Sequence, residues 1–463
     1  MRQPSLLWKG LVFCASLFPA RAALADDLRF SDFVPLAASA GPTADEAAPI
    51  TFGNPSFRQR SIADRATQLS DAVPNSGNWD MNTVNETGPH KGRFLFTVFE
   101  TGQAGVQRHD LATGRTDTVW HSLAAGDHVA FDPSFWTPWG TLITGEESWE
   151  TAAAGATSPY GRLFELKNPL TAPSIEGTLT PNSNDGAQFV HQNVIPRTSH
   201  EGIQFDKDGN LYFIDELNGG NVYRFTTAAK MSKVKQGRAD YFAAGQTSVL
   251  RVGDGNSANA TGAFTWVPFT DANGVALPGA LTITDVRGVT SVDARNTTNL
   301  PAFKGTDYQR PEDLQIKRRG NDEFIFMTTT TTHETYVIDL RRQTIAVFAD
   351  RNTLDLATGL PVGAALANPD NLALDHDGNI YIIEDRAGAV DDDIWFANDL
   401  NHDGDLLDPG EGLARWASNG TVGSEFSGLY FDPMNKRRAW VNIQHPDSGA
   451  DRTIEITIPC RDE

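Results

Sequence analysis

Short apolar runs, alternating with polar residues and broken by Gly, Asn and Asp, recur along the chain from about residue 92 onward. GRFLFTVFE (92–100) and GVQRHDLATGRTDTVW (105–120) alternate with a period of two about an Ala-Thr-Gly turn, which predicts two paired strands. The stretch HQNVIPRTSHEGIQFDKDGNLYFIDELNGG (191–220) repeats the design. A carboxylate, Glu201, opens the first run, Asp208-Gly209-Asn210 makes the turn, and the second run ends on Asp215 and Glu216. No long amphipathic helix is expected anywhere; a short helical stretch is expected near Thr226 to Gln236.

The paired run has relatives at Pro311–Thr330, Pro369–Asp385 and Phe426–Gln444. Aligning their first polar positions sets Glu201, Glu312, Asp370 and Ser427 in register, 111, 58 and 57 residues apart. The first interval is about twice the others, so one degenerate unit lies between. A period of this size with four strands per unit is the mark of a β-propeller, and the length suits about six or seven blades. The expectation is an all-β, six-bladed β-propeller over residues 61–463, preceded by a leader segment (26–60) rich in Ala, Ser, Pro and Asp.

Composition narrows the partners. The 463 residues carry a formal net charge of −21, which makes nucleic acid and anionic membrane surfaces unsuitable and favours hard cations such as calcium. Residues 1–25 read as a Sec-type signal peptide, with Arg2 and Lys9, a short apolar core from Leu11 to Phe18, and Ala23-Leu24-Ala25 before Asp26. That core is too short to span a membrane. The expected location is periplasmic or secreted, and the expected state a monomer. The two cysteines are Cys14, inside the signal, and Cys460.

In a propeller the first strand of each unit lines the central channel, so Glu201, Glu312 and Asp370 face one another there. Three acids at one channel mouth repel unless a cation sits among them. TPWGTLITGEESWE (137–150) ends a strand on Glu146 and Glu147, and strand alternation lets only one of the two join the channel. Arg310 lies two residues before Glu312, on the same face; it either grips two oxygens of an anionic ligand or neutralises Glu312. Asp206, Asp208, Asp375 and Asp377 read as turn formers. DLNHDGDLLDPGE (399–411) has the alternate acids of a calcium loop at Asp399, Asn401, Asp403 and Asp405, with Gly404 at the turn and Glu411 one residue late. Without a bound cation it is an acidic surface turn. His200 and His445 either pack as hydrogen-bonded histidines or act as acids or phosphate donors. No Ser-His-Asp order, P-loop or nucleotide fingerprint is present.

TPWGTLITGEE (137–147), SHEG (199–202), RPEDLQI (310–316), NPDNLALD (368–375) and VNIQHP (441–446), taken in this order, resemble the PhoX-type alkaline phosphatases. The resemblance implies a six-bladed propeller holding iron and calcium at its channel, and hydrolysis of small-molecule phosphate monoesters outside the cell. It implies Glu147, Glu201, Glu312 and Asp370 as metal ligands and Arg310 on the phosphate. One departure stands out. In those phosphatases a cysteine whose thiolate binds iron stands five residues before the first Thr of Thr-Pro-Trp-Gly-Thr; here that position is Asp132. As a ligand, Asp132 is a hard oxygen donor that favours calcium or magnesium over iron; otherwise it caps the Asp-Pro turn. The alternatives to a phosphatase are a calcium-dependent lactonase or esterase, and a calcium-binding propeller without catalysis.

Overall fold

The structure, a computed structural model, describes residues 28–148, 158–174, 188–285, 287–386 and 392–459. The expected signal peptide, Cys14 and Cys460 lie outside these residues. The regular structure is nearly all β, folded as a series of antiparallel four-stranded meanders. The first comprises Trp79–Val84, Phe94–Phe99, Gly105–Asp110 and Arg115–His121. The second comprises Phe135–Trp136, Leu142–Gly145, Leu163–Leu166 and Phe189–His191. The third is Ile203–Phe205, Leu211–Ile214, Val222–Thr227 and Gly245–Val252. The fourth is Pro311–Arg319, Asp322–Thr329, Glu334–Asp339 and Thr344–Ala349. The fifth is Pro369–Leu374, Ile380–Glu384, Asp393–Asn398 and Gly412–Asn419. An extra strand, Gly262–Pro268, joins the outer edges of the third and fourth meanders into one nine-stranded sheet. The short helix expected near Thr226 to Gln236 appears as Met231–Val234.

The last sheet takes three strands from the C-terminal end, Glu425–Phe431, Arg438–Gln444 and Arg452–Thr457, and its outer strand, Arg58–Asp64, from the N-terminal end. The segment ahead of that strand packs over the fifth and sixth sheets. Ile50–Phe52 pairs with Gly412–Asn419, and the Phe30 ring lies among Phe57, Trp416 and Phe431. The indole N–H of Trp416 donates to the Phe30 carbonyl at 2.9 Å.

The first strands of successive meanders bond to one another or to their neighbours and close a ring. Gly202 N–H donates to the Glu312 carbonyl (3.3 Å), Leu372 N–H to Asp313 Oδ2 (3.0 Å), Gly428 N–H to Asn371 Oδ1 (2.8 Å) and Asn82 Nδ2 to the Gly428 carbonyl (3.0 Å). Phe131 N–H donates to the Phe99 carbonyl (3.2 Å) and His200 N–H to the Glu146 carbonyl (3.0 Å), which bring in the second meander. Apolar cores fill the spaces between neighbouring sheets. Phe96, Trp120, Phe131 and Phe164 lie between the first and second, and Ile325, Tyr336, Tyr212 and Leu250 between the third and fourth. Burying large alternating side chains on both faces of every sheet is the main stabilising term.

The turn acids behave as turn acids. Asp206 accepts from Asn210 N–H (2.8 Å) and Asn210 Nδ2 (2.6 Å), and Asp375 does the same with Asn379 (2.9 and 2.8 Å). The glycine of Ser-His-Glu-Gly has a separate cause. A Cβ on Gly202 would lie 2.2 Å from Leu314 N and 2.6 Å from the Asp313 carbonyl carbon, so the third and fourth inner strands touch backbone to backbone. Gly202→Ala should therefore cost about 1–3 kcal/mol in denaturant unfolding, as overpacking does. Gly41→Ala, with nothing within 4 Å of its Cβ, should stay within about 0.5 kcal/mol of the parent. Equal stability of the two variants would show that the strands are not packed this closely.

Candidate metal centre

Each meander places polar groups at one channel mouth by the same local geometry. The carbonyl of Asn78, Ala130, Ser199, Arg310 or Asn368 accepts a hydrogen bond, at 2.8–3.1 Å, from the backbone N–H of Glu100, Glu147, Glu216, Thr330 or Asp385 respectively. Two residues beyond each of these carbonyls stands an acid: Asp80, Asp132, Glu201, Glu312 and Asp370. Four of the five carbonyl-bearing residues hold a left-handed backbone, with φ of 46° at Asn78, 41° at Ala130, 58° at Arg310 and 45° at Asn368. Non-glycine residues rarely adopt this conformation, and its recurrence at one repeat position ties it to the shape of the mouth. Just beyond, the register shifts by a bulge, between Trp79 and Asn82, Pro311 and Leu314, and Pro369 and Leu372. A bulge re-aims the side chains beside it.

The acids converge. Carboxylate oxygens of Asp132, Glu147 and Glu201 lie within 4.8 Å of one another, as do those of Glu201, Glu216 and Glu312. Glu201 belongs to both groups and all five residues are buried. Asp370 is in neither triad but lies close enough for its charge to act on Glu201 and Asp132, while Glu312, Asp385 and Asp80 act on it. Arg310 spans the second triad: Nε is 2.9 Å from Glu216 Oε1 and 3.0 Å from Glu312 Oε1, and Nη2 is 2.9 Å from Glu216 Oε1. Thr330 Oγ1 donates to Glu312, and Ser199 Oγ donates to Glu216 Oε2 at 3.0 Å.

The strand pairs ending on two acids send them to opposite faces, as the pleat requires. Glu147 faces the mouth, whereas Glu146 is buried against Arg162, whose Nε is 2.7 Å from Oε2. Glu216 faces the mouth, whereas Asp215 accepts from Ser199 N–H at 2.9 Å. Glu216 was not among the residues singled out from the sequence, nor were Asp80, Glu100 and Asp385. Glu216 was legible, because it holds the same place in its hairpin as Glu147.

Burial and like charge raise the proton affinity of the whole group. Loss of water pushes Asp132, Glu147, Glu201 and Asp370 well above the ordinary carboxylate range, and neighbouring carboxylates add to the effect. Burial lifts Glu312 to about 8 against the pull of Arg310, and Asp80 to about 6. Carboxylate oxygens of Glu201 and Glu312 lie within 4.8 Å of one another, so their like charges repel unless a proton or a cation comes between them. Asp132 Oδ1 and Glu201 Oε2 are buried without a hydrogen-bond partner. Clustered anionic oxygens with empty lone pairs suit a hard cation, and a cation would replace the missing counter-charge. The charge of Asp80 also acts on Asp132.

The other candidates lie elsewhere. His200 is fully buried, bonds Thr198 Oγ1 through Nδ1 at 2.9 Å and packs on Phe213; burial lowers its pKa to about 3. It is a core histidine. In the loop 399–411, Asp399 and Asn401 both accept from Asp403 N–H, Asp403 accepts from Asp405 N–H, and Glu411 accepts from Leu400, Asn401 and Asp408 N–H. Lys317 Nζ lies 3.4 Å from Asp399. These side chains are thus engaged by the loop's own backbone and by a lysine.

Solved structures resemble this chain to different degrees. PhoX from Pseudomonas fluorescens, in complex with vanadate, superposes with a TM-score of 0.62 over 93% of this chain and 98% of that one, at 15% identity, a likeness of fold. A gluconolactonase from Xanthomonas campestris (TM-score 0.42, 12% identity, 92% and 97% of the two chains) and a regucalcin from Agrobacterium tumefaciens (0.40, 10%, 83% and 96%) are similar in outline only. No curated protein matches the chain in sequence. The family model of alkaline phosphatase PhoX matches residues 136–447, which carry Glu147, Glu201, Glu216, Arg310, Glu312 and Asp370, and with more than half of its length matched the chain belongs to that family.

Proposed function

We propose that the protein is an exported, metal-dependent phosphoric ester hydrolase acting on small-molecule phosphate esters at the channel mouth of a six-bladed propeller. The observation that carries the reading is Arg310, a guanidinium held beside two buried carboxylate triads. Asp132, Glu147, Glu201, Glu216 and Glu312 would hold the cations, with Asp370 at their edge. All are oxygen donors, a set that favours calcium; with Asp132 in the place of a thiolate, iron is disfavoured. When bound, the cations supply Lewis-acid polarisation of a phosphoryl oxygen.

The chain's own residues do the rest. Glu216 and Glu312 engage Nε and Nη2 of Arg310 and fix the plane of its fork, while 35% of the side chain stays exposed to meet a phosphate. Ser199 and Thr330 in turn fix those two carboxylates. The low-polarity surroundings strengthen every charge contact at the mouth. A monomer in the periplasm or the medium suits a small, freely diffusing substrate.

Arg310→Ala should lower kcat/KM on an aryl phosphate by about 10²–10³-fold, the usual effect of losing one oxyanion donor. Its calcium content should stay within error of the parent. Arg310→Lys should recover little of the loss, because a point charge cannot reproduce a two-pronged grip. Undiminished turnover by the alanine variant would remove Arg310 from the reaction.

Glu201→Gln should lower bound calcium, measured by elemental analysis, because Glu201 serves both triads. Unchanged stoichiometry would refute a shared site. The raised carboxyl pKa values also set a pH dependence for the metal-free protein. The folded state then holds more protons than the unfolded one, so stability is greatest below the unfolded carboxyl range and falls as pH rises from about 4.5 toward about 8, the folded value of Glu312. Thermal melts in chelator should show that fall, and added calcium should reverse it. A melting temperature flat with pH in chelator would contradict the burial of these charges.

A further inference from the structure

The fork of Arg310 is held from two sides, and the two supports differ in reach. On the Glu312 side the support stays within the fourth meander. Arg310 Nε lies 3.0 Å from Glu312 Oε1, Thr330 Oγ1 donates to Glu312, and Thr330 N–H donates to the Arg310 carbonyl at 3.0 Å. On the Glu216 side the support crosses the mouth. Arg310 Nε and Nη2 each lie 2.9 Å from Glu216 Oε1. The other oxygen, Oε2, accepts from Ser199 Oγ at 3.0 Å. Ser199 Oγ in turn accepts from the backbone N–H of Ser148 at 2.9 Å. Ser148 directly follows Glu147 in the chain. A run of contacts, none longer than 3.0 Å, therefore joins the strand end that bears Glu147 in the second meander to the guanidinium of the fourth, by way of the third.

The chemistry of the groups fixes the direction of every bond in this run. A backbone N–H only donates, so Ser148 takes a lone pair of the Ser199 hydroxyl and leaves that hydroxyl's one proton for Glu216. A guanidinium also only donates, so Glu216 accepts from Arg310 on one oxygen and from Ser199 on the other. The backbone of Ser199 is held as well. Its N–H donates to Asp215 Oδ1 at 2.9 Å, and its carbonyl accepts from Glu216 N–H at 3.1 Å. Ser199 and Glu216 are thus bonded twice, through backbone and side chain, and Ser148, Ser199 and Glu216 are all 0% exposed. A carboxylate pinned at Oε2 cannot swing, so Oε1 presents Arg310 with a fixed acceptor. Hydrogen bonds to an ionised group are the stronger class, and the two-pronged grip of a guanidinium depends on its plane. Without the Ser199 hydroxyl, Glu216 could turn and the fork could tilt, although Ser199 itself lies outside reach of solvent.

We infer that Ser199 is a positioning residue for the phosphate: through Glu216 it sets the plane in which Arg310 meets the substrate, and the Ser148 N–H beside Glu147 aims its hydroxyl. The inference rests on the phosphatase reading above. It makes the grip on the anion depend on a serine that touches neither substrate nor solvent.

The test is a double-mutant cycle on the calcium-loaded, full-length protein, with p-nitrophenyl phosphate as substrate. Ser199→Ala should lower kcat/KM about tenfold, the effect of losing one hydrogen bond to a charged group. In an Arg310→Ala background the same change should alter kcat/KM by less than about twofold, because a residue that acts through another has nothing left to act on. Bound calcium, measured by elemental analysis, should equal that of the parent throughout. Ser199→Cys keeps the shape of the side chain with a weaker donor. It should lose less than the alanine variant and be as silent in the Arg310→Ala background, and it carries the test if the alanine variant does not fold. Equal fold-losses in the two backgrounds, a loss that follows bound calcium, or no loss in either variant would overturn the positioning role. A parent protein inactive on p-nitrophenyl phosphate with calcium, with or without iron, would instead overturn the phosphatase reading, and the positioning role with it.

Discussion

Repulsion among buried carboxylates is the constraint on which the rest of this structure depends. Glu201 lies in two groups of acids at once. Arg310 bonds to the second group, through Glu216 and Glu312. A soluble fold does not gather so many anionic oxygens away from water without something to compensate them, because each charge buried without a partner costs several kcal/mol. Burial and like charge raise the proton affinity of Glu201, and the empty lone pairs of Asp132 and Glu201 mark where a cation would supply the missing counter-charge.

The sheets supply the rigidity that such crowding needs. Each mouth-facing acid stands at the end of a strand whose neighbour is anchored by a backbone hydrogen bond to the turn residue two positions earlier. The inner strands are locked to one another by Gly202, Asp313, Asn371 and Asn82, so the ring cannot widen to relieve the charge. Closure of the last sheet by Arg58–Asp64 ties the two ends of the chain together and fixes the circumference.

The units are alike in backbone and unlike in chemistry. The position two residues before the inner acid is Asn78, Ala130, Ser199, Arg310 and Asn368 in turn, and Glu425 in the sixth sheet. One place in the repeat thus carries a cation in the fourth unit and an acid in the sixth. The channel mouth is therefore asymmetric in charge.

Much of this was legible in the chain. The period of 57–58 residues gave the repeat; alternation within a strand let only one of Glu146 and Glu147 join the channel, and the resemblance selected Glu147. Glu216 holds the same place in its hairpin as Glu147, which selects it over Asp215. Asp80, Glu100 and Asp385 were not legible, because their stretches look like ordinary strand ends until the ring is closed. The calcium-like spacing of Asp399, Asn401, Asp403 and Asp405 was legible, but spacing does not reveal that the loop's own N–H groups and Lys317 occupy those side chains. The sequence by itself determined the strands, their pairing into repeats and the face on which each acid lies, because a strand's period is local. Only the tertiary structure decided which acids meet, since that depends on the angle at which separate sheets converge, and no local pattern encodes it.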